Sequence, residues 1–367
     1  MGQLGSRVKC RMASVQGRYH VFDAVTTSLD EFRALVKASQ AERSKRYLVD
    51  KVPGPTKASM SFFEELCVVL FLGLTIPGCV ISIPLLLMVI GLAVGNLTLT
   101  FVVGLVLVSS LTLVPAPFRE KALTSWISYQ CLRYFSFKLL WEEEFANNRA
   151  AIKVAPPHGV FPYGNLLTMA AYPSIFGFSF KGLAASAAVT IPIFKHVLRT
   201  MGAVDASSKS ATSVLARNET LGISTGGVAE VFETNASDDR EVILLKARTG
   251  LIKLAFRNGA ELIPCYLYGN SKLFSLWTGG PLHSTMKEIS RKIGFALILF
   301  WGRFFLPIPF REPVFGVMGR AIKVEKKDNP TNAEVAALQA RLCDEMVALF
   351  DRHKATYGWG HKKLVIE

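Results

Sequence analysis

Residues 247–269 read ARTGLIKLAFRNGAELIPCYLYG and join the clearest helical pattern of the chain to a β-type run. Further β-type runs, separated by helical patterns, are AIKVA at 151–155, EVILL at 241–245, FALILFWG at 295–302 and AIKV at 321–324. Short strands that alternate with helices are typical of an α/β domain. The sequence therefore predicts an α/β fold with a mostly buried sheet.

The composition is unusually apolar and basic. Half of the 367 residues are apolar, and the mean hydropathy is positive, so a membrane segment is expected. Lys and Arg number 42 against 28 Asp and Glu, which gives a net charge of +14. This excess suits an anionic membrane surface, a nucleic acid or a phosphorylated substrate equally well. The six cysteines are scattered without a CxxC pair, so neither a zinc site nor a disulfide framework is indicated.

One long stretch lacks charge. From Leu66 to Phe118 no charged residue occurs over 53 positions. A single membrane span needs roughly 20 residues, so this length favours two. The break at 91–96 divides the stretch into spans at about 66–90 and 97–114, with prolines that should kink the first. A two-span transmembrane hairpin is the favoured interpretation, and one span with a buried or re-entrant segment is the alternative.

Basic residues flank the uncharged stretch on both sides: Lys51, Lys57, Arg119 and Lys121. The positive-inside tendency then places both termini in the cytosol. The chain divides accordingly into a basic N-terminal segment at 1–60, the hairpin region at 61–118 and an α/β domain at 119–367. The start MGQLGS also fits a pattern for N-myristoylation at Gly2, and the sequence does not decide whether it is used.

Two helices are predicted at the ends of the α/β domain. Residues 121–144 mix aromatics and cations at helical spacing, which predicts a helix lying along the membrane surface. Near the C-terminus, Thr331 and Glu334 form a capping box before a run with one apolar face. The last helix should therefore begin there.

His158 has an unusual local setting in KVAPPHGVFPYGN at 153–165. Two prolines restrict the backbone before it, and Gly159 permits a sharp turn after it. The histidine follows the apparent strand AIKVA and precedes the helix-like NLLTMAAY, a place where α/β proteins carry reactive groups. The residues indicate either a base aimed at a substrate or a turn histidine bonded to the backbone.

A second candidate element is STGGVAEVFE, in which Gly226 and Gly227 precede Glu230. Paired glycines allow a close backbone approach, so their amides can bind an oxyanion or a phosphate. Glu230 can orient an imidazole. An ordinary turn with a solvated glutamate fits the same residues.

A cluster of cations surrounds a predicted helix start: Lys246, Arg248, Lys253 and Arg257. Arginine binds phosphate in bidentate geometry, so a phosphate-rich ligand such as coenzyme A is one interpretation and a solvated helix face is the other. Arg303 lies between aromatic residues, a setting that suits an anion or lipid headgroups.

Taken together, these blocks resemble the type-2 diacylglycerol acyltransferase family, which includes monoacylglycerol and wax-ester acyltransferases. The resemblance runs from the hairpin to the C-terminus. It rests on FLGL at 71–74, PHG at 157–159, GGVAE at 226–230, the stretch 247–269, GR at 302–303, VMGRAIKVEKKDNPT at 317–331 and FDRHKATYG at 350–358.

This sequence departs from the family pattern beside the histidine. The usual motif is HPHG, and here Pro156 stands where the first histidine is expected. The wider glycerolipid acyltransferases carry an aspartate five positions after the second histidine, where this chain has Tyr163. The resemblance therefore implies that His158 works alone as the base, with Glu230 as the candidate carboxylate partner.

The resemblance also implies a reaction and a cellular setting. The implied fold is a membrane-anchored, glycerolipid-acyltransferase-like α/β domain that transfers an acyl group from acyl-CoA to the hydroxyl of diacylglycerol. No metal is implied, and acyl-CoA serves as a co-substrate rather than a cofactor. The implied oxyanion donors are the amides of Gly159, Gly226 and Gly227, and the implied contacts of the coenzyme A phosphates are Lys246, Arg248 and Arg303.

The implied partners are acyl-CoA, diacylglycerol and membrane lipid. A nucleic-acid protein would share the charge but not the uncharged stretch, so nucleic acid is not expected. The implied location is the endoplasmic reticulum membrane, as a multi-pass protein, with lipid droplets as a second location. Monoacylglycerol or a long-chain alcohol is the alternative acceptor, and a non-catalytic lipid-droplet scaffold is the alternative of another class. Whether the chain forms a homo-oligomer stays open.

Overall fold

The structure is a computed structural model that describes residues 19–75, 77–115, 117–145, 149–232, 239–277, 285–290 and 297–367. Only the backbone is described for residues 77–82 and 228. The N-myristoylation pattern at Gly2 and the first two residues of the run at 295–302 lie outside the described residues.

Strands and helices alternate along most of the described chain. The strands are β1 (Tyr19–Asp23), β2 (Leu48–Val49), β3 (Lys138–Trp141), β4 (Ala151–Val154), β5 (Lys181–Ala184), β6 (Ala203–Asp205), β7 (Thr220–Ile223), β8 (Arg240–Ile243), β9 (Glu261–Tyr268), β10 (Ser275–Leu276), β11 (Phe300–Trp301), β12 (Phe315–Met318) and β13 (Lys363–Ile366). The helices are α1 (Leu29–Ala34), α2 (Gln40–Tyr47), α3 (Phe62–Thr75), α4 (Pro77–Ala93), α5 (Leu97–Thr112), α6 (Glu120–Leu123), α7 (Trp126–Tyr134), α8 (Tyr163–Phe176), α9 (Phe194–Met201), α10 (Ser208–Leu215), α11 (Gly227–Val231), α12 (Thr249–Asn258) and α13 (Asn332–His353).

Within the described residues, nine strands form one sheet in the order β2-β1-β3-β12-β9-β4-β7-β5-β6. At its centre β4 runs parallel to β7 on one side and to β9 on the other. Side chains of β9 alternate between the two faces of the sheet, each of which carries its own apolar core. Helices α1, α2, α3, α7 and α8 cover one face, and α10, α12 and α13 cover the other. The predicted α/β class with a buried sheet is confirmed.

The best-patterned elements lie where the sequence predicts them. The 247–269 stretch forms α12 followed by β9, and the capping box of Thr331 and Glu334 begins α13. The helix-like run after His158 forms α8. Each of these elements carries a local signal, a cap or an apolar face, that its tertiary neighbours reinforce.

Three predicted strands differ from expectation. Among the described residues of the run at 295–302, only Phe300–Trp301 is a strand, because the backbone amides of Gly302 and Arg303 donate to carbonyls of the tight loop that follows. The run at 321–324 makes a single bridge, between Leu262 and Ile322, because the chain leaves the ladder after β12. The run at 241–245 does form β8, but it pairs with β13 apart from the main sheet.

The prediction of one helix along the membrane surface at 121–144 is wrong, although α6 and α7 within this segment are helical. Most residues of α7 are buried. The chain then forms β3, whose four residues are all buried and which lies between β1 and β12 in the sheet. The cation Lys138 in this strand is paired with Asp23 at 3.0 Å, with both side chains almost fully buried. A cation that suggested a surface position, Lys138, is thus inside the protein, because its ion pair permits its burial.

The N-terminal segment is part of the α/β domain. Strand β1 pairs with β2 and with β3, so residues 19–49 extend the sheet rather than forming a separate unit. Helix α2 adds Tyr47 to the core, where its hydroxyl bonds the carbonyl of Ser174 at 3.2 Å. A domain boundary at 119 therefore divides residues that pack together.

The described part of the uncharged stretch forms three helices, α3, α4 and α5. The first predicted span, 66–90, is divided between α3 and α4, and Pro77 begins the second of them. The second predicted span, 97–114, corresponds to α5, which packs against α4 as a helical hairpin. Among the described residues, no helix has both the length and the apolar character needed to cross a membrane. The two-span transmembrane hairpin is therefore not confirmed.

Candidate active site

His158 lies in a short loop between β4 and α8, at the carboxyl end of the central strand. Gly159 has a φ of +60°, a left-handed conformation that favours glycine. Imidazole Nδ1 of His158 lies 2.8 Å from the carbonyl oxygen of Gly159. A carbonyl only accepts, so this contact requires a proton on Nδ1 and leaves the lone pair of a neutral ring on Nε2.

The protonation state of His158 follows from its surroundings. Burial lowers the pKa of the imidazole below its usual 6.5, and the bond to Gly159 opposes this as the smaller effect. The ring is therefore neutral near pH 7. A neutral imidazole with a free Nε2 has the form that a general base requires.

Glu230 reaches the same loop from α11. Its side chain is fully buried, and one carboxylate oxygen accepts from the backbone amide of His158. The other accepts from the amide of Leu244 at 3.2 Å. We expected this carboxylate to orient the imidazole, but it contacts the main chain of His158, and the Gly159 carbonyl contacts the ring instead. Glu230 is thus a positioning residue of the loop.

Burial also controls the charge of Glu230. It raises the pKa of the carboxyl to about 7, although the amides of His158 and Leu244 and the nearby Arg248 favour the ionised form. Gly226 provides the space for this side chain, because a Cβ there would lie 2.0 Å from Oε2 of Glu230. Gly226, which was expected to approach a ligand, therefore also makes room for the carboxylate.

Asn270, which follows β9, holds both ends of the histidine loop. Its side-chain nitrogen donates to the carbonyl oxygens of Pro157 at 3.1 Å and His158 at 2.8 Å. Its side-chain oxygen accepts from the amide of Gly164 at 2.9 Å. We did not single out Asn270 from the sequence. The available signal was its place directly after a buried run, at the carboxyl end of a parallel neighbour of β4.

The predicted phosphate contacts separate into two groups. Arg248 donates to the carbonyl oxygen of Gly226 at 3.0 Å, which places its guanidinium beside the site. Lys246 is exposed two residues before Arg248 and three residues after the end of β8. Arg303 instead donates to Glu65 at 2.5 Å and to the hydroxyl of Tyr134 at 3.2 Å. Its charge is already opposed by a carboxylate of α3, so it is a weaker candidate for a phosphate contact than Arg248.

The structure therefore brings together most of the predicted site. His158, Gly159, Gly226 and Glu230 meet with Arg248 at the carboxyl ends of β4 and β7, and Gly227 follows with a φ of +53°. Beyond the loop, Phe161 contacts Phe274 and Phe300, with ring centroids 5.6 and 5.5 Å away. The described residues contain no cluster of three or more metal-binding side chains, and the expectation of a metal-free reaction stays a prediction.

Comparison with known proteins gives the family. Residues 96–367 match the family model described as diacylglycerol acyltransferase. The chain is 29% identical over 259 residues to 2-acylglycerol O-acyltransferase 1 of Bos taurus, an alignment that covers 65% of this chain and 76% of the relative. It is 28% identical over 239 residues to diacylglycerol O-acyltransferase 1 of Schizosaccharomyces pombe, covering 61% and 69%.

Among solved structures, the 1-acyl-sn-glycerophosphate acyltransferase PlsC from Thermotoga maritima aligns with 74% of this chain and 96% of its own, at 18% identity and a TM-score of 0.37. That likeness is too weak to carry an argument. The family match covers most of the chain, and the resemblance expected from the motifs is confirmed. The chain belongs to the diacylglycerol acyltransferase family.

Proposed function

We propose that this protein transfers an acyl group from acyl-CoA to the free hydroxyl of diacylglycerol, with His158 as the general base. The observation that carries the proposal is the contact between Nδ1 of His158 and the Gly159 carbonyl, which leaves Nε2 able to accept a proton. Membership of the acyltransferase family supports the reaction class.

The proposed reaction has two steps. Nε2 of His158 takes the hydroxyl proton while the acceptor oxygen attacks the thioester carbon, and a tetrahedral oxyanion forms. The oxyanion then collapses, the C–S bond breaks, and the coenzyme A sulfur leaves as a thiolate that takes the proton from the imidazolium. A thioester is a good acyl donor, so a base, oxyanion stabilisation and proximity are the main requirements.

The residues around His158 support distinct parts of this reaction. Glu230 and Asn270 hold the main chain of the loop, so the imidazole keeps one position. The amides of Gly159, Gly226 and Gly227 are the proposed oxyanion donors. Arg248 and Lys246 are the proposed contacts of the coenzyme A phosphates, because both are exposed cations and Arg248 bonds the carbonyl of Gly226. We assign Arg303 to the anchoring of α3.

We also propose that α3, α4 and α5 anchor the protein in the endoplasmic reticulum membrane or on lipid droplets. Large apolar side chains on these helices are exposed, among them Leu70 at 54%, Leu86 at 59% and Phe101 at 70%. Exposed apolar surface of this extent marks a membrane or protein contact, and diacylglycerol itself dissolves in a bilayer. The net positive charge suits an anionic leaflet as well as the polyanionic donor.

The test is neutral-lipid synthesis by membranes that contain the full-length chain. Labelled acyl-CoA is supplied with diacylglycerol, monoacylglycerol or a long-chain alcohol, to the wild type and to His158→Ala. We expect labelled triacylglycerol from the wild type and a loss of about 100-fold or more in the variant, the usual contribution of a general base. Retained synthesis by His158→Ala would contradict the role of the histidine.

The same assay separates the alternatives. The relatives of this chain carry names with two acceptors, a 2-acylglycerol and a diacylglycerol, so monoacylglycerol is the second candidate. Product from monoacylglycerol or alcohol alone would reassign the acceptor while keeping the chemistry. No product from any acceptor would favour the non-catalytic scaffold.

A further inference from the structure

A short loop at 302–308 displays apolar side chains to solvent. Phe304, Phe305 and Leu306, here named the aromatic tip, are 68%, 86% and 51% exposed. Both phenylalanines have positive φ, +57° and +56°, a conformation that bulky residues rarely adopt. The backbone is thus strained although the rings do not pack into the core. Strain of this kind is typical of segments that contact a ligand or partner.

The loop is closed and fixed to the domain. The amide of Gly302 donates to the carbonyl of Leu306 at 2.8 Å, and the amide of Arg303 donates to that of Ile308 at 2.8 Å. A Cβ on Gly302 would lie 1.8 Å from the Ile308 oxygen, so only glycine permits this closure. The strained tip is therefore a built feature of the chain.

The aromatic tip lies beside α3. The side chain of Arg303 bonds Glu65 in the first turn of α3, and Glu65 also accepts from Arg311 at 2.8 Å. Farther along, a Cβ on Gly73 of α3 would meet the side chain of Ile308 at 3.7 Å. Helix α3 exposes apolar side chains of its own: Phe62, Phe63, Leu66, Leu70 and Leu74. The tip therefore continues the apolar surface that leads into α4 and α5.

An aromatic path connects this surface with the active site. Phe300 lies just before the loop, and its ring is 5.2 Å from Phe274 and 5.5 Å from Phe161, centroid to centroid. Phe161 in turn is three positions after His158. The same three rings thus contact the histidine loop at one end and the base of the aromatic tip at the other.

We propose that the aromatic tip inserts into the interface of a phospholipid bilayer beside α3, and that Phe300, Phe274 and Phe161 guide the acyl acceptor from the bilayer to His158. At the base of the tip, Arg303 and Arg311 share the single carboxylate of Glu65, so one positive charge is not balanced by it. Exposed aromatic and aliphatic side chains next to a cation suit the headgroup and acyl boundary of a bilayer. This inference rests on the proposed function, and it adds a second lipid contact, separate from the α4–α5 hairpin.

The test uses the full-length protein in phospholipid vesicles. Phe304→Asn/Phe305→Asn replaces the two aromatic side chains of the tip with a polar residue that tolerates positive φ. Phe304→Leu/Phe305→Leu is the matched control that keeps the apolar character. Triacylglycerol formation is measured with long-chain diacylglycerol dissolved in the vesicles and with a short-chain diacylglycerol dispersed in water. We expect the Asn variant to raise KM for the long-chain acceptor about tenfold and the Leu variant to raise it less than twofold.

The KM for acyl-CoA and the rate with the short-chain acceptor should stay as in the wild type for both variants. Equal KM values for the long-chain acceptor in wild type and Asn variant would overturn the inference, and so would an equal loss on the short-chain acceptor. A wild type that forms no triacylglycerol from either acceptor would instead show that the proposed function has failed.

Discussion

The loops at 156–162 and 302–308 both contain left-handed residues, but they differ in what their main chains and side chains contact. The loop at 156–162 places glycine at its left-handed position, and Asn270 and Glu230 bond its main chain from inside the fold. The loop at 302–308 places phenylalanines there and exposes them. Both main chains are bonded within the protein, but the exposed phenylalanine side chains of the second loop are the ones that we propose to meet a bilayer. We therefore assign acyl transfer to the loop of His158 and membrane contact to the loop at 302–308.

The largest effect should come from breaking the internal bonds of the histidine loop. Asn270→Asp keeps the shape but replaces the donating nitrogen with an oxygen that faces the carbonyls of Pro157 and His158. We expect kcat to fall about 100-fold or more, because a small displacement of a reacting group has an effect of this size. The KM for acyl-CoA should change less than twofold.

Asn270→Gln supplies a control, since it keeps the amide and should recover part of kcat. Unaltered kcat in Asn270→Asp, measured on folded protein in the same vesicles, would show that the loop does not need this clamp.

A methyl group tests the second support of the loop. Gly226→Ala would place a Cβ 2.0 Å from Oε2 of Glu230, so the carboxylate must move away from the His158 amide. We expect a loss of kcat of about 30-fold through displacement of the histidine loop, less than in Asn270→Asp because the bonds from Asn270 remain. Gly250→Ala is the matched control, because a Cβ at Gly250 meets nothing within 4 Å. Equal activity in the two variants would contradict the packing argument.

A smaller effect should separate the two arginines. Arg248→Ala should raise KM for acyl-CoA about tenfold, the equivalent of 1.4 kcal/mol, with little change in thermal stability. Arg303→Ala should leave that KM unchanged and lower stability by about 1 kcal/mol, because Glu65 and Tyr134 lose a partner. Thermal unfolding and acyl-CoA titrations check both. A tenfold rise of KM in Arg303→Ala would return this residue to the coenzyme A site.

The sequence predicted those parts of the fold that carry local signals. Helix α13 has a capping box and one apolar face, and α12 leads directly into β9, so period and caps were sufficient. Strand β3 was missed because its neighbours on both sides, β1 and β12, are distant in sequence. Its cation Lys138 suggested a surface, although Asp23 neutralises it inside the core.

The difference between local signals and contacts distant in sequence also decides which site residues could be predicted. His158 was recognisable because prolines and a glycine surround it in the chain. Asn270 was not, because its contact with Pro157 joins residues 113 positions apart. For Glu230 the residue was found but its contact was not, since only the fold shows that it meets the backbone of His158 rather than the ring. Arg303 was predicted to contact a ligand, but in the fold it pairs with a carboxylate of α3.

The pH dependence of kcat/KM for acyl transfer to diacylglycerol tests the central claim most directly, in the wild type and in Glu230→Gln. Burial lowers the pKa of His158 below 6.5, so the base is lost only as pH falls through that lower value. We therefore predict an acidic limb with an apparent pKa below 6.5 in both proteins. A limb near pH 7, where Glu230 titrates, that disappears in Glu230→Gln would contradict the assignment of His158 as the base.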